Sequence, residues 1–132
     1  MNRSGDATAC AGMQSTLPRL RAWFAAYVDR FSSSDPAVQE NVDIKAEHTR
    51  RVCDEVRDIG GSLGLSDENL CSAEAAALLH DVGRFEQYSR YGTFLDARSE
   101  DHAALGVKVI EEHRVLADLD PDTAHLLMQA VA

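Results

Sequence analysis

Apolar residues recur along this chain at helical spacing in five stretches. Over residues 17–31 the stripe is Leu20, Phe24, Tyr27, Val28 and Phe31, which predicts an amphipathic helix closed by the SSSDP run that follows. A second stripe begins near Asn41 and carries Ile44, His48, Val52, Val56 and Ile59, with the glycine pair at 60 and 61 read as its end. Ser66 is placed to cap a third helix, which turns continuously apolar over residues 75–79 and so should be buried on most sides. His80 and Asp81 fall on its last turn.

After Gly83 an aromatic stretch reaches to about Arg98 and reads as a long loop. Ser99 then opens a fourth helix with the stripe His102, Leu105, Gly106, Val109 and Ile110. Asp120 followed by Pro121 is a helix start in N-cap and N1 order, and Ala124, Leu127, Met128 and Val131 mark the inward face of a fifth helix still running at Ala132. No stretch shows the alternation of a strand, and no internal repeat is visible. The expected class is all-α, a compact helical bundle of five or more helices with the last one cut short.

Length and composition narrow this picture. With 132 residues, 45% of them apolar and 27% charged, the chain is one ordinary globular domain over residues 17–132, able to bury roughly two-thirds of its unfolded surface. The first sixteen residues lack the apolar core of a secretory signal and read as a disordered N-terminal segment. No apolar run approaches the roughly 20 residues that a bilayer requires. The three cysteines, Cys10, Cys53 and Cys71, have no metal-knuckle spacing and are odd in number, which points to a reducing, cytoplasmic setting. A net charge of −9 would repel a nucleic-acid backbone, whereas it suits divalent cations.

The candidate chemistry lies in the histidines. One histidine on an apolar helix face is more often a hydrogen-bonded core residue than a ligand. Here three helices each present one, His48, His80 and His102, and His80 has Asp81 attached. Three unshared buried imidazoles would be costly. Neighbours on a helix point about 100° apart, yet both can reach an ion beside the helix end while other helices supply further ligands. Mixed imidazole and carboxylate ligands suit manganese, iron, cobalt or magnesium better than a thiolate zinc site. His113 lies three turns, roughly 16 Å, beyond His102 and is too far for the same ion. His125 is off the inward stripe of its helix and is expected at the surface.

These residues resemble the HD-domain superfamily of metal-dependent phosphohydrolases. His48 in KAEHTRRV matches the family's first histidine, and LLHDVGR matches its His-Asp doublet with the glycine that follows. His102 in DHAALG resembles the additional histidine of members that hold a second metal. The similarity covers roughly residues 41–132. In the family a closing aspartate comes from a helix well downstream of the doublet; Asp118, Asp120 and Asp122 lie in or beside the turn before the last helix and do not match it, so the C-terminal part of the domain is expected to be missing.

The resemblance implies hydrolysis of a phosphate ester of a small substrate, a nucleotide among the options, with one or two divalent ions per chain. His48, His80, Asp81 and His102 would be the metal ligands, with Asp81 between two ions. Arg84, three residues after Asp81, would clamp a substrate phosphate if the helix continued, and Lys45, one turn before His48, would face the same pocket. Phe85, Tyr88, Tyr91 and Phe94 either wall that pocket or pack their loop onto the domain. Two other classes of function remain open: a regulatory module that binds metal or nucleotide without turnover, and a helical interaction domain with structural histidines. Oligomerisation is possible and nothing in the sequence demands it.

Overall fold

A computed structural model describes residues 12–132. Among these residues the chain is all-helical, with six α-helices and one short 3-10 turn. The first helix, α1 (Met13–Asp29), starts before the expected position: Met13 and Thr16 are buried, and the Met13 N–H donates to Glu68 Oε2 at 2.7 Å. Residues 13–16 therefore belong to the fold and not to a disordered segment, because that apolar first turn has a core to enter and a carboxylate to cap it. The remainder of the expected segment, with Cys10, lies outside the described residues.

Helix α2 (Pro36–Ser62) also starts earlier than the apolar stripe suggests. Asp35 is its N-cap, accepting from the Ala37 N–H at 2.9 Å, with Pro36 at the first helical position. The Asp-Pro pair read as the close of one helix is thus the opening of the next. The glycine pair at 60 and 61 does not end the helix. Gly60 is buried where a Cβ would meet Leu70 at 2.5 Å, and the chain turns only at Gly64, with φ +73.

The buried face of α2 is Val42, Ala46, Thr49 and Cys53, while Ile44 and Ile59 are 52% and 60% exposed. The expected stripe of bulky residues is therefore rotated. Small side chains, not large ones, bring α2 close to helix α3 (Asp67–Leu79). As a consequence His48 sits at the edge of the buried face, its side chain 41% exposed, and not at its centre.

Helix α3 is capped by the Ser66 side chain, which accepts from the Asn69 N–H, and it is the hub of the bundle, touching α1, α2 and the last helix. Its apolar end, Ala75, Ala77, Leu78 and Leu79, is buried. Glu74, also buried, ties three helices together: Oε2 accepts from Arg21 of α1 and Oε1 accepts from Arg57 of α2 at 2.6 Å.

The expected aromatic loop is in fact largely helical. Residues Gly83–Tyr91 form α4, closed by Gly92 in the left-handed region, and a 3-10 turn at Asp96–Arg98 leads to α5 (His102–Glu112). Phe85 and Gln87 turn inward, and Phe85 packs against Phe24, Tyr27 and Phe31. Gly83 reads as a breaker, yet it starts a helix because of its neighbour: a Cβ there would lie 2.1 Å from the His102 carbonyl and 2.5 Å from the Gly106 N. Asp101, not Ser99, caps α5, accepting from the Ala103 N–H. Helix α6 (Pro121–Val131) begins as expected, with Asp120 accepting from the Thr123 N–H at 2.9 Å and Leu127 and Val131 buried. No helix among the described residues is long and apolar enough to cross a membrane.

Candidate metal centre

Leu79 and Val82, both fully buried, anchor the turn between α3 and α4 on either side of the doublet. His80 is the C-cap of α3, one residue past its last turn, and Asp81 follows in the turn, where its carbonyl accepts from the Arg84 N–H. His80 and Val82 keep right-handed helical dihedrals, and the turn places both neighbouring side chains beside the end of α3. Helix α2 brings His48 to one side of the turn. The close crossing of α4 and α5 at Gly83 and Gly106 brings His102 to the other.

Three imidazoles thereby surround one carboxylate. His48 Nε2 and His80 Nε2 each lie 3.6 Å from Asp81 Oδ2, and His102 Nε2 lies 3.5 Å from Asp81 Oδ1. The His48 and His80 rings are 5.7 Å apart at their centroids. Asp81 is the deepest of these groups, with 12% of its side chain exposed. Ligand atoms of His48, His80 and Asp81 all fall within 4.8 Å of one another, close enough to share one cation.

The outer nitrogens of two rings are already assigned. His80 Nδ1 lies 2.5 Å from the Ala77 carbonyl, which can only accept, so Nδ1 carries a proton and Nε2 is the nitrogen turned toward Asp81. His102 Nδ1 lies 3.0 Å from Asp96 Oδ2. That bond, followed by one from Gln87, holds the Asp96 carboxyl below the usual carboxylate range. A ring that donates outward and presents its other nitrogen inward is the arrangement of metal-ligating histidines. The residues fit a divalent cation by donor chemistry as well as by spacing.

A second acidic grouping, Asp96, Asp101 and His102, also has its ligand atoms within 4.8 Å. Its carboxylates have other employment. Asp101 caps α5, while Asp96 receives Gln87, Arg84 and His102. It reads as a hydrogen-bonded bracket and not as a separate cation site.

The flanking cations differ from expectation. Arg84 lies in the first turn of α4, where its Nη1 donates to Gln87 Oε1 at 3.0 Å, the Phe94 carbonyl at 2.8 Å and Asp96 Oδ1 at 3.3 Å. That nitrogen is committed to the 94–96 loop and the side chain is 19% exposed, while Arg84 Nε is buried without a partner among the described residues. The Lys45 ammonium sits 4.9 Å over the Phe94 ring, and Phe94 in turn stacks on Tyr88 at 4.8 Å. Tyr88 accepts from Asn41. These two rings hold the loop against α2; of the two readings of the aromatic stretch, packing is the one the contacts favour.

Of the other histidines, His113 packs edge-on against Trp23 and Tyr27 of α1, and His125 is exposed, so neither joins the cluster. The downstream aspartates are likewise elsewhere: Asp118 pairs with Arg19 and Asp120 caps α6. Asp96 and Gln87 are the residues that sequence reasoning missed. Nothing in the sequence singles them out, since residues 84–98 hold several other polar side chains.

The HD-domain family model matches residues 46–129, which span His48, the doublet and His102. The chain belongs to the HD-domain family. No curated protein and no solved structure matches it. HD domains are generally metal-dependent phosphohydrolases that bind divalent ions, and His48, His80 and Asp81 form a candidate ligand group for one.

Proposed function

We propose that this HD domain hydrolyses the phosphate ester of a small substrate, using one or two divalent ions held by His48, His80, Asp81 and His102. The observation that carries the reading is the convergence of three imidazole Nε2 atoms on the two oxygens of Asp81 at 3.5–3.6 Å. Oδ2 faces His48 and His80 while Oδ1 faces His102, so one carboxylate serves both sides of the centre. A divalent ion there would lower the pKa of its water toward neutrality and screen charge on the phosphoryl oxygens. Manganese, iron, cobalt and magnesium all suit this donor set, which contains no thiolate.

The protein's own groups divide the remaining work. His48, the most exposed of the ligands at the edge of α2, leaves the centre open to solvent on its side, where a substrate can enter. Lys45, one turn before it, brings a compact positive charge that can leave Phe94 for a phosphate oxygen. Arg84 Nη1 braces the 94–96 loop beside the centre. Nothing in the Tyr88–Phe94 stack offers a free platform for a base, so the phosphate and not a nucleobase is the recognised group.

A second reading, a metal-binding regulatory module without turnover, is favoured by one observation: among the described residues no aspartate downstream of the doublet joins the cluster. Purification from metal-supplemented growth decides first, with about one or two equivalents of a divalent ion per chain expected. Mn²⁺-dependent cleavage of an aryl phosphate should then be measurable, and Asp81→Ala should lower it by more than about a hundredfold, beyond the loss typical of an outer-shell change. Metal retained without turnover would favour the regulatory module. Full activity in Asp81→Ala would sink the mechanism.

A further inference from the structure

We propose that Asp96, held in place by Gln87 and Arg84, is the positioning residue that aims His102 at the metal centre. The inference rests on the metal-binding reading above and extends it to residues that touch neither ion nor substrate.

His102 is the first residue of α5, where the helix gives its side chain little lateral support. Its ring is instead fixed from both ends, with Nε2 3.5 Å from Asp81 Oδ1 and Nδ1 3.0 Å from Asp96 Oδ2. A carboxylate at Nδ1 keeps the proton on that nitrogen and leaves the Nε2 lone pair for a cation beside Asp81. Asp96 itself sits on a 3-10 turn of three residues and is 41% exposed, a placement that would wander without a support.

The support is unusual in its burial. Gln87 is 0% exposed, and its Nε2 lies 2.8 Å from Asp96 Oδ1, 3.0 Å from Ser99 Oγ and 3.1 Å from the Glu100 carbonyl. Its Oε1 accepts from Arg84 Nη1, which also reaches Asp96 Oδ1 and the Phe94 carbonyl. A fully buried amide costs stability unless both ends are bonded. Here both ends are, and the bonds converge on the segment 94–100 that carries Asp96. His102 is the side chain that links this bracket to the Asp81 carboxylate.

The test is a Mn²⁺ titration of the full chain, followed by the electron paramagnetic resonance of the free ion, for the wild type, Asp96→Asn, His102→Ala and the double variant. Asp96→Asn keeps the side-chain volume on an exposed turn and replaces the charged acceptor by a weaker one. It should weaken the His102-dependent Mn²⁺ affinity about ten- to a hundredfold. The double variant should bind no more weakly than His102→Ala alone, because Asp96 acts only through that ring. Gln87→Met, which fills the same space without donors, should shift affinity in the same direction. An Asp96→Asn affinity within about twofold of wild type, or losses that add in the double variant, would overturn the positioning role. A wild-type chain that binds no Mn²⁺ at all would be a different failure, overturning the metal-centre reading and the positioning role with it.

Discussion

His80 and His102 each give an outer proton to a fixed oxygen, but the oxygens differ in kind. The Ala77 carbonyl belongs to the same helix as His80 and cannot be mutated away, whereas Asp96 is a side chain on a separate turn. Alterations to the bracket should therefore affect His102 selectively. Another residue with a clear consequence is Cys53. Burial, and then the charge of Glu74, pushes its thiol from 9.0 up to about 11. Since the thiolate is the reactive form and the pKa is raised, the reactive fraction at pH 8 falls about a hundredfold. Iodoacetamide should label Cys53 slowly in the folded chain, faster as the pH approaches 11, and readily once urea unfolds it. Mass spectrometry of the labelled peptide reads this directly, and rapid labelling of native protein at pH 8 would contradict the burial.

At the scale of elements, the crossing of α4 and α5 decides whether His102 reaches Asp81. Gly83 and Gly106 let two helix backbones touch, and a Cβ on Gly83 would strike backbone atoms that cannot swing aside. Gly83→Ala should cost about 1–3 kcal/mol or more by overpacking, and it should weaken Mn²⁺ binding by moving His102 away from Asp81. Gly61 supplies the contrast. It lies in α2 with open space where a Cβ would stand, nothing coming within 4 Å, so Gly61→Ala should stabilise by about 0.4–1 kcal/mol through the unfolded chain. Urea unfolding of both variants separates the two kinds of glycine. An equally stable Gly83→Ala would show that the helices can part at no cost.

At the scale of the whole molecule, α3 organises the bundle, and Glu74 is its main polar fastening. The carboxylate is buried while both arginines that hold it are about half exposed, so their attraction is partly screened and they can rehydrate if it is lost. Glu74→Gln should therefore destabilise by about 1–3 kcal/mol, the range for a charged hydrogen-bonded group, with the midpoint of urea unfolding lowered and its slope unchanged. A changed slope would mean that α1 detaches separately. Around this hub the acidic balance, 22 acidic against 13 basic side chains, keeps the surface negative. On the function proposed above, a small anionic substrate would be drawn in by local cations such as Lys45 and not by the net charge.

Much of this was legible in the chain itself. Caps and spacing depend on bonds within a turn or two, and so Ser66, Asp120–Pro121 and the stripes of α1, α3, α5 and α6 could be read locally. The His-Asp doublet, with His48 on another helix, pointed from the sequence to a candidate cation site, and ligand atoms of His48, His80 and Asp81 do lie within 4.8 Å of one another. Tertiary structure decided the rest. Small residues rotated α2 and moved His48 to an open edge; the close approach of α5 demanded a glycine at 83; and the 94–96 loop took up Arg84 Nη1. The Gln87–Asp96–His102 bracket joins three separate segments, and its parts meet only because α4 and α5 cross where two glycines allow it. Local periodicity reports which face a residue occupies, while what that face meets is settled by how closely the helices approach.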